Sequence, residues 1–390
     1  MVSLAKGAGG WQHAQVTEKL LLMAAKIVAA CGPAKPADAA LRTELRAQHG
    51  LSRDDGREIS GAVFAYHRWL GWLDRSKKLP VQVHQALQLD AAFRERPESF
   101  PESELRQAVP DWVAGQMEVT TAWLRELQGE PVLWLRARPG TGLDLATDLC
   151  DCRAAGGKHL GDALQYLGTQ DLFRTAGFHA GKFELQDLSS QAVGWVCAPK
   201  PGETWWDACA GEGGKTLHLC DLMANKGRVW ASDKAGWRLD QLKRRAARAG
   251  VFNYRTELWN GGAKPPTKTK FDGILVDAPC SGIGTWQRNP HARWTTQPAD
   301  IAELAALQKK LLAHVIPSLK PGARLIYSVC TLTRAETTEV TEAISAEFPQ
   351  LKPLPLVNPL SPTAARATPL WLWPQDIGAN GMFMAGWQAP

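Results

Sequence analysis

The chain has 390 residues, 45% of them hydrophobic and 22% charged, with a formal net charge of +6. That length exceeds one ordinary compact domain, the balance is that of a soluble globular protein, and no apolar run approaches the roughly 18–20 residues of a membrane span. The mild positive charge fits a polyanionic partner without demanding one. Met1 to Gly10 carries one lysine and no long apolar core, so no secretory leader is read there and the expected location is the cytoplasm. Eight scattered cysteines (31, 150, 152, 197, 209, 220, 280 and 330) do not resemble a disulfide scaffold, and the pair Cys150-Asp151-Cys152 lacks the second pair of a zinc ribbon. No metal is expected. Most of the 17 tryptophans are read as packing residues.

From residue 11 to about 95 the pattern is helical: Val16, Leu20, Leu21, Met23, Ala24, Ile27 and Val28 recur at helical spacing, and so do Ile59, Val63, Phe64, Tyr66, Leu70 and Leu73. Gly32-Pro33 and Lys35-Pro36 break the first run, and Ser52-Arg53-Asp54-Asp55 supplies a cap for a later helix. Glu95 to Pro110 is rich in Pro, Glu and Ser and reads as a linker. A small mixed unit follows to about 175, with a helix over Trp112–Leu127, a strand over 132–137 and a helix over Leu143–Leu149. Expected domains are therefore a helical one over 1–95, a linker and small α+β subdomain over 96–175, and an α/β domain over 176–390.

Beyond about 176, strands and helices alternate, as in a parallel α/β sheet. Strands are predicted over 204–209, 228–233, 254–258, 271–276 and 323–329, with a C-terminal pair near 370–373 and 381–387. Helices are predicted over 215–223, 237–249, 301–319 and 334–348, the third ending at Lys320-Pro321-Gly322. Lys243, Arg244, Arg245 and Arg248 crowd one of these helices, and Lys264, Lys268 and Lys270 the loop after it.

Asp207-Ala208-Cys209-Ala210-Gly211-Glu212-Gly213-Gly214-Lys215 lies where a strand turns into a helix, the edge at which doubly wound sheets bind ligands. Its glycines let a backbone approach a ligand, and Asp233, 26 residues on, can accept both hydroxyls of a ribose. Neither the Rossmann nor the P-loop fingerprint is complete, since Cys209 stands where the first P-loop Gly belongs. Glu212 would repel phosphate, so the turn better suits an uncharged or cationic ligand such as S-adenosylmethionine.

Asp277-Ala278-Pro279-Cys280-Ser281-Gly282 and Tyr327-Ser328-Val329-Cys330-Thr331 each follow a strand. A lone cysteine is more often a buried packing residue, but two at matching strand ends beside an acid point to chemistry. Thiolate addition at carbon 6 of a cytosine makes carbon 5 nucleophilic enough to take a methyl group from a sulfonium, after which the carbon 5 proton must leave. An acid such as Asp277 favours that addition by hydrogen-bonding the base, which must be unstacked to be reached.

These motifs, with Gln186-Asp187-x-Ser189-Ser190-Gln191, Arg288-Asn289-Pro290-x-x-x-Trp294 and Lys320-Pro321-Gly322, resemble the Sun/RsmB-type RNA cytosine-5 methyltransferases in order over about residues 110–390. The resemblance implies a Rossmann-like S-adenosylmethionine-dependent methyltransferase sheet with a helical N-terminal domain and a small α+β middle subdomain. It implies Cys330 as nucleophile, Cys280 as release cysteine and Asp277 between cofactor and base. Expected cofactor contacts are Cys209, Ala210, Gly211, Glu212, Gly213, Gly214, Lys215, Asp233, Arg238, Asn260 and Asp277. DNA cytosine methyltransferases attack with the Pro-Cys cysteine instead, so exchanged roles are the competing assignment. Leu51-Ser-Arg-Asp-Asp and Ala65-Tyr66-His67-Arg68-Trp69 resemble the last helices of a NusB-type RNA-binding module. Together these imply 16S ribosomal RNA as the partner, with transfer RNA, or a non-catalytic role in ribosome assembly, as the alternatives; nothing in the sequence demands more than a monomer, and no membrane attachment is expected. Three positions depart from the family pattern: Gly211-Glu212 replaces Ala-Pro, Asn260 replaces an Asp against the adenine, and Arg136-Ala137-Arg138 replaces Arg-Val-Asn, which could alter the grip on RNA.

Overall fold

The computed structural model of the chain describes residues 17–48, 50–156, 160–361 and 363–390. The reading of Met1–Gly10 and the Val16 onset of the first helix lie outside them. The chain divides into two compact units at Val109/Pro110. Among the described residues no helix is long and apolar enough to cross a membrane.

In the first unit the helices Glu18–Ala29, Ala37–Ala47, Arg53–Arg68 and Leu79–Glu95 bury the apolar stripe that the sequence predicts, with Ile27, Ile59 and Val63 fully enclosed. Ser52 and Asp55 form a reciprocal capping box at the start of the third helix. Asp90, enclosed in the core, accepts from Arg68 at 2.7 Å and from the Trp69 indole at 3.0 Å. The stretch read as a linker is instead three short helical turns, Pro97–Ser99, Glu102–Leu105 and Arg106–Ala108. Phe100 and Leu105 anchor it, the Phe100 ring lying 5.3 Å from that of Trp69. Two apolar anchors outweighed a polar, Pro-rich composition.

The second unit contains two sheets. The smaller is antiparallel, in the order β2-β3-β1-β4, from β1 (Leu133–Ala137), β2 (Cys152–Ala154), β3 (Ala163–Tyr166) and β4 (Phe183–Leu185). The larger comprises β5 (Thr204–Asp207), β6 (Arg228–Asp233), β7 (Tyr254–Leu258), β8 (Phe271–Asp277), β9 (Leu319–Val329), β10 (Lys352–Pro353), β11 (Leu370–Leu372) and β12 (Met382–Gln388). Its order is β10-β12-β9-β8-β5-β6-β7, with β11 also on β12. β5 to β9 are parallel and β12 runs antiparallel to β9. From β5 the chain first builds outward through β6 and β7, then crosses back to β8 and β9. The strand order therefore reverses between β5 and β8, which opens a crevice at their carboxyl ends.

Helices cover both faces. Adjacent tryptophans on β5 point to opposite sides, as pleating requires. Trp205 joins the core beneath the helices Gly214–Leu222 and Gly236–Arg248, and Trp206 joins the core beneath Pro298–Val315. Gly273 on β8 makes room for Trp205, since a Cβ there would stand 2.3 Å from the indole.

Arg136 and Arg138 are engaged by carboxylates and an amide of the chain itself. Arg136 is 2% exposed and held by Asp221 and Gln186, while Arg138 pairs with Asp221 at 2.9 Å and Glu184 at 3.1 Å. Two of the four basic residues crowded over 243–248 also turn inward, with Arg245 and Arg248 at 2.9 and 2.8 Å from Glu184. A buried carboxylate has to be paired, and Glu184 draws cations from three directions.

Candidate active site

β5 delivers Asp207 to the crevice, where Gly211 (φ +54°) and Gly213 (φ +86°) turn the chain into the helix Gly214–Leu222. A Cβ on Gly213 would meet Leu242 at 2.5 Å, so this position demands glycine for space as well as for conformation. A Cβ on Gly211 would meet nothing within 4 Å, leaving that backbone open to a ligand. The Gly211 N–H donates to Asp233 at the end of β6 (3.0 Å), and the Ala235 N–H donates to the other oxygen (2.8 Å). Each oxygen of Asp233 keeps a second lone pair, enough for two further donors.

A cleft of about 470 Å³ lies along this edge, a size at which small-molecule sites are usual. It brings together Cys209, Ala210, Gly211, Glu212, Gly214, Lys215, Asp233, Arg238, Asp277 and Cys280 of the expected residues, and adds Asp207, Ser190, Ala278 and Pro279. Gly213 lies beneath the turn against Leu242. Asn260 stands apart from the cleft, its side-chain oxygen capping the Gly262 N–H at 3.0 Å. Four acids (Asp207, Glu212, Asp233, Asp277) face two cations (Lys215, Arg238) around the cleft, a balance that suits a cationic ligand and opposes phosphate.

Asp277 ends β8. Its two oxygens accept from Lys215 at 2.7 Å and from the Ser328 hydroxyl of β9 at 2.8 Å. Burial, the largest single influence, would lower the Lys215 ammonium, but the charge and hydrogen bond of Asp277, joined by Cys330 and Asp207, together hold its pKa above the usual lysine value. Asp207 lacks such a partner. Buried, with only the Thr216 hydroxyl on it at 2.6 Å, its carboxyl is pushed up to about 7 by desolvation.

The two cysteines converge. Cys280 follows β8 and Cys330 follows β9, and their sulfurs lie 3.4 Å apart at hydrogen-bond distance. This contact splits the thiols. The hydrogen bond from Cys280 is the largest influence on Cys330 and lowers its pKa, while that same contact and burial push Cys280 well up. Cys330 is therefore the more readily ionised of the two, with the Lys215 ammonium favouring its thiolate as well.

Around both loops lies a residue that motif spacing does not find. Glu336, fully enclosed, accepts from the Ser281 N–H at 2.8 Å, from the Ser281 hydroxyl, from the Thr333 hydroxyl at 3.0 Å and from the Gln308 amide at 3.1 Å. Gln308 also donates to the Pro279 carbonyl at 2.9 Å.

This is the doubly wound fold of methyltransferases, with a ligand cleft at the switch point and two thiols beside it. The sequence family described as 16S rRNA methyltransferase RsmB/F matches residues 195–388. The chain is 34% identical over 276 residues to the Synechocystis protein named "Probable ribosomal RNA small subunit methyltransferase B", covering 68% of this chain and 60% of that one. It is 30% identical over 311 residues to the ribosomal RNA small subunit methyltransferase B of Sodalis glossinidius, covering 75% of this chain and 69% of that one. A solved methyltransferase homologue from Pyrococcus horikoshii superposes with a TM-score of 0.57 at 26% identity, over 69% of this chain and 90% of that one. The chain belongs to the RsmB/F methyltransferase family. It spans 60% of the length of the Synechocystis relative and 48% of a Bacillus subtilis one.

Proposed function

We propose that this chain methylates carbon 5 of a cytosine in RNA, the small-subunit ribosomal RNA that its relatives are named for, with Cys330 as nucleophile. The carrying observation is the 3.4 Å approach of Cys330 to Cys280, which lines an acid-rich cleft together with Asp277. S-Adenosylmethionine, the cofactor, supplies an electrophilic methyl group on a positively charged sulfur. Asp233 would hold its ribose hydroxyls through the free lone pairs, and the open backbone at Gly211 would lie against it.

Cys330 adds to carbon 6 of the cytosine as a thiolate, and carbon 5 gains the electron density needed to accept the methyl group. Asp277, oriented by Lys215 and Ser328, hydrogen-bonds the base and stabilises the adduct. The carbon 5 proton then leaves to Cys280 or to a water it positions, and the electron pair of that C–H bond expels Cys330 from carbon 6. Release restores the aromatic ring and the free thiol. A Cys330 thiol that gives up its proton more readily than Cys280 suits this division, whereas exchanged roles would call for the opposite ordering.

The test is a pair of variants incubated with ribosomal RNA and S-adenosylmethionine. Cys280→Ala is expected to accumulate a covalent RNA adduct resistant to denaturing electrophoresis, and Cys330→Ala to yield neither adduct nor 5-methylcytosine. An adduct formed only by Cys330→Ala would reverse the roles, and full 5-methylcytosine formation by Cys330→Ala would refute the mechanism.

A further inference from the structure

The geometry points to Glu336 as the positioning residue that sets the reach between the two cysteine loops, an inference that rests on the proposed function for its catalytic consequence. Glu336 touches neither sulfur. Its oxygens receive groups from both loops, each one residue past a cysteine. Ser281, next to Cys280, donates through its N–H at 2.8 Å and through its hydroxyl. Thr331, next to Cys330, donates its hydroxyl to Glu336 at 3.1 Å and lies 2.8 Å from the Ser281 hydroxyl, a contact in which either oxygen can donate. Thr333 and Gln308 complete the ring at 3.0 and 3.1 Å.

Two features separate this from an ordinary buried polar group. Among the described residues Glu336 forms no salt bridge; it is held by neutral donors converging from two loops and the helix Pro298–Val315. A set made of donors alone calls for a group that only accepts, which a carboxylate is and an amide is not. The second feature is redundancy of anchorage. Tyr327, fully enclosed on β9, donates its hydroxyl to the Glu336 carbonyl at 2.6 Å and lies 3.0 Å from the Gln308 oxygen. The Glu336 backbone is thus pinned to β9, the strand that leads into Cys330, while its side chain is held by the two cysteine loops and Gln308. A loop carrying a nucleophile gains little from being fixed alone. Fixing it to the partner loop keeps the sulfurs at 3.4 Å, the distance at which one thiol can hydrogen-bond the other.

The charge acts in the same direction. The groups that bear on the thiols are Asp277 and Lys215 at Cys330, and Glu336 at Cys280, whose proton it helps to retain. Glu336→Gln turns an N–H toward donors, loosens one loop and removes that charge. Thr331→Val, close to isosteric, loosens the contact while keeping the charge.

The experiment is cysteine-resolved alkylation with iodoacetamide across neutral to alkaline pH, read by mass spectrometry, alongside methyl-transfer kinetics on the full chain. In the wild type Cys330 is expected to react at lower pH than Cys280. In Glu336→Gln that lead narrows from both sides, and in Thr331→Val it narrows less. Turnover falls about 10- to 100-fold in Glu336→Gln, with KM for the methyl donor within about twofold of wild type, because misplacement of the reacting groups costs rate and not cofactor binding. Unchanged alkylation profiles in the folded variants would overturn the inference, as would a loss confined to donor KM. If Glu336→Gln does not fold, Thr331→Val decides alone. Should the wild type transfer no methyl while the variants still narrow the lead, the positioning role stands and the proposed function fails; a methylating wild type with indifferent variants gives the converse.

Discussion

Two stretches of one sheet edge, at the end of β5 and at the ends of β8 and β9, build their sites from different material. At the end of β5 the turn Cys209–Lys215 is made of backbone: Gly211 is open, Gly213 is wedged against Leu242, and Glu212 is exposed, offering its carbonyl to Arg245 at 3.0 Å. At the ends of β8 and β9 the site is made of side-chain atoms, with Asp277, Lys215, Ser328, Cys280 and Cys330 each within 3.4 Å of another. A backbone site depends on where chain and Cβ go, so a replacement of the family's Ala-Pro by Gly211-Glu212 leaves its form intact. A side-chain site depends on single atoms, and one wrong proton disables it.

The largest test of that contrast is Asp277→Asn. Shape is preserved, but the Lys215 ammonium loses its counter-charge at 2.7 Å and the base loses a charged acceptor. Methyl transfer is expected to fall about 100- to 1000-fold, the scale for loss of one preorganised electrostatic contact. Lys215 would also titrate at lower pH, since burial is then opposed only by the charges of Cys330 and Asp207. Rate–pH profiles of wild type and variant check both points. A variant within tenfold of wild type would mean that Asp277 is scaffolding and the contrast is misplaced.

Gly213→Ala tests the backbone side. The new Cβ would lie 2.5 Å from the enclosed Leu242 in a left-handed conformation, with destabilisation of about 2–4 kcal/mol expected by urea unfolding. Glu212→Ala, one residue away on the exposed side of the turn, is the control and should be close to neutral. Equal losses in both would show that the turn, like the thiol edge, is read through its side chains.

The same division explains what was legible in the sequence. Strands such as Phe271–Asp277 declare themselves by apolar runs, and the Gly-rich turn by its glycines, because both are local. The parallel run of the large sheet and the placement of Asp207, Asp233, Asp277 and the cysteine loops at one edge follow from strand–helix alternation, whereas the strand order does not. β2, β3 and β4 were not read as strands, being three or four residues long and defined by their antiparallel partners. Lys320-Pro321-Gly322, read as a helix stop, lies within β9 after the helix has already ended at Val315. Glu336 was invisible for a related reason: its donors come from positions 281, 308, 331 and 333, and only the fold assembles them. The inward turn of Arg245 and Arg248 is likewise dictated by Glu184, some sixty residues earlier.

Asp207 stands at the junction of the two modes, a side chain at the root of the backbone turn, and carries the smallest expected effect. Its carboxyl is raised to about 7 from 3.8 because burial penalises the charge, so the folded chain holds a proton over that interval that the unfolded chain has lost. Stability from this group is therefore present below about pH 4 and declines as the pH rises through 7. Asp207→Asn keeps a neutral group beside Thr216 and removes the decline. The lead of the variant over wild type should widen between pH 5 and pH 8 by on the order of 1 kcal/mol, a change in the Tm difference of about 2–4 °C. Thermal unfolding at both pH values is the check. A constant offset between the two proteins would mean that Asp207 stays ionised throughout, held by the Lys215 charge and the Thr216 hydroxyl, and that the turn tolerates a full buried charge at its base.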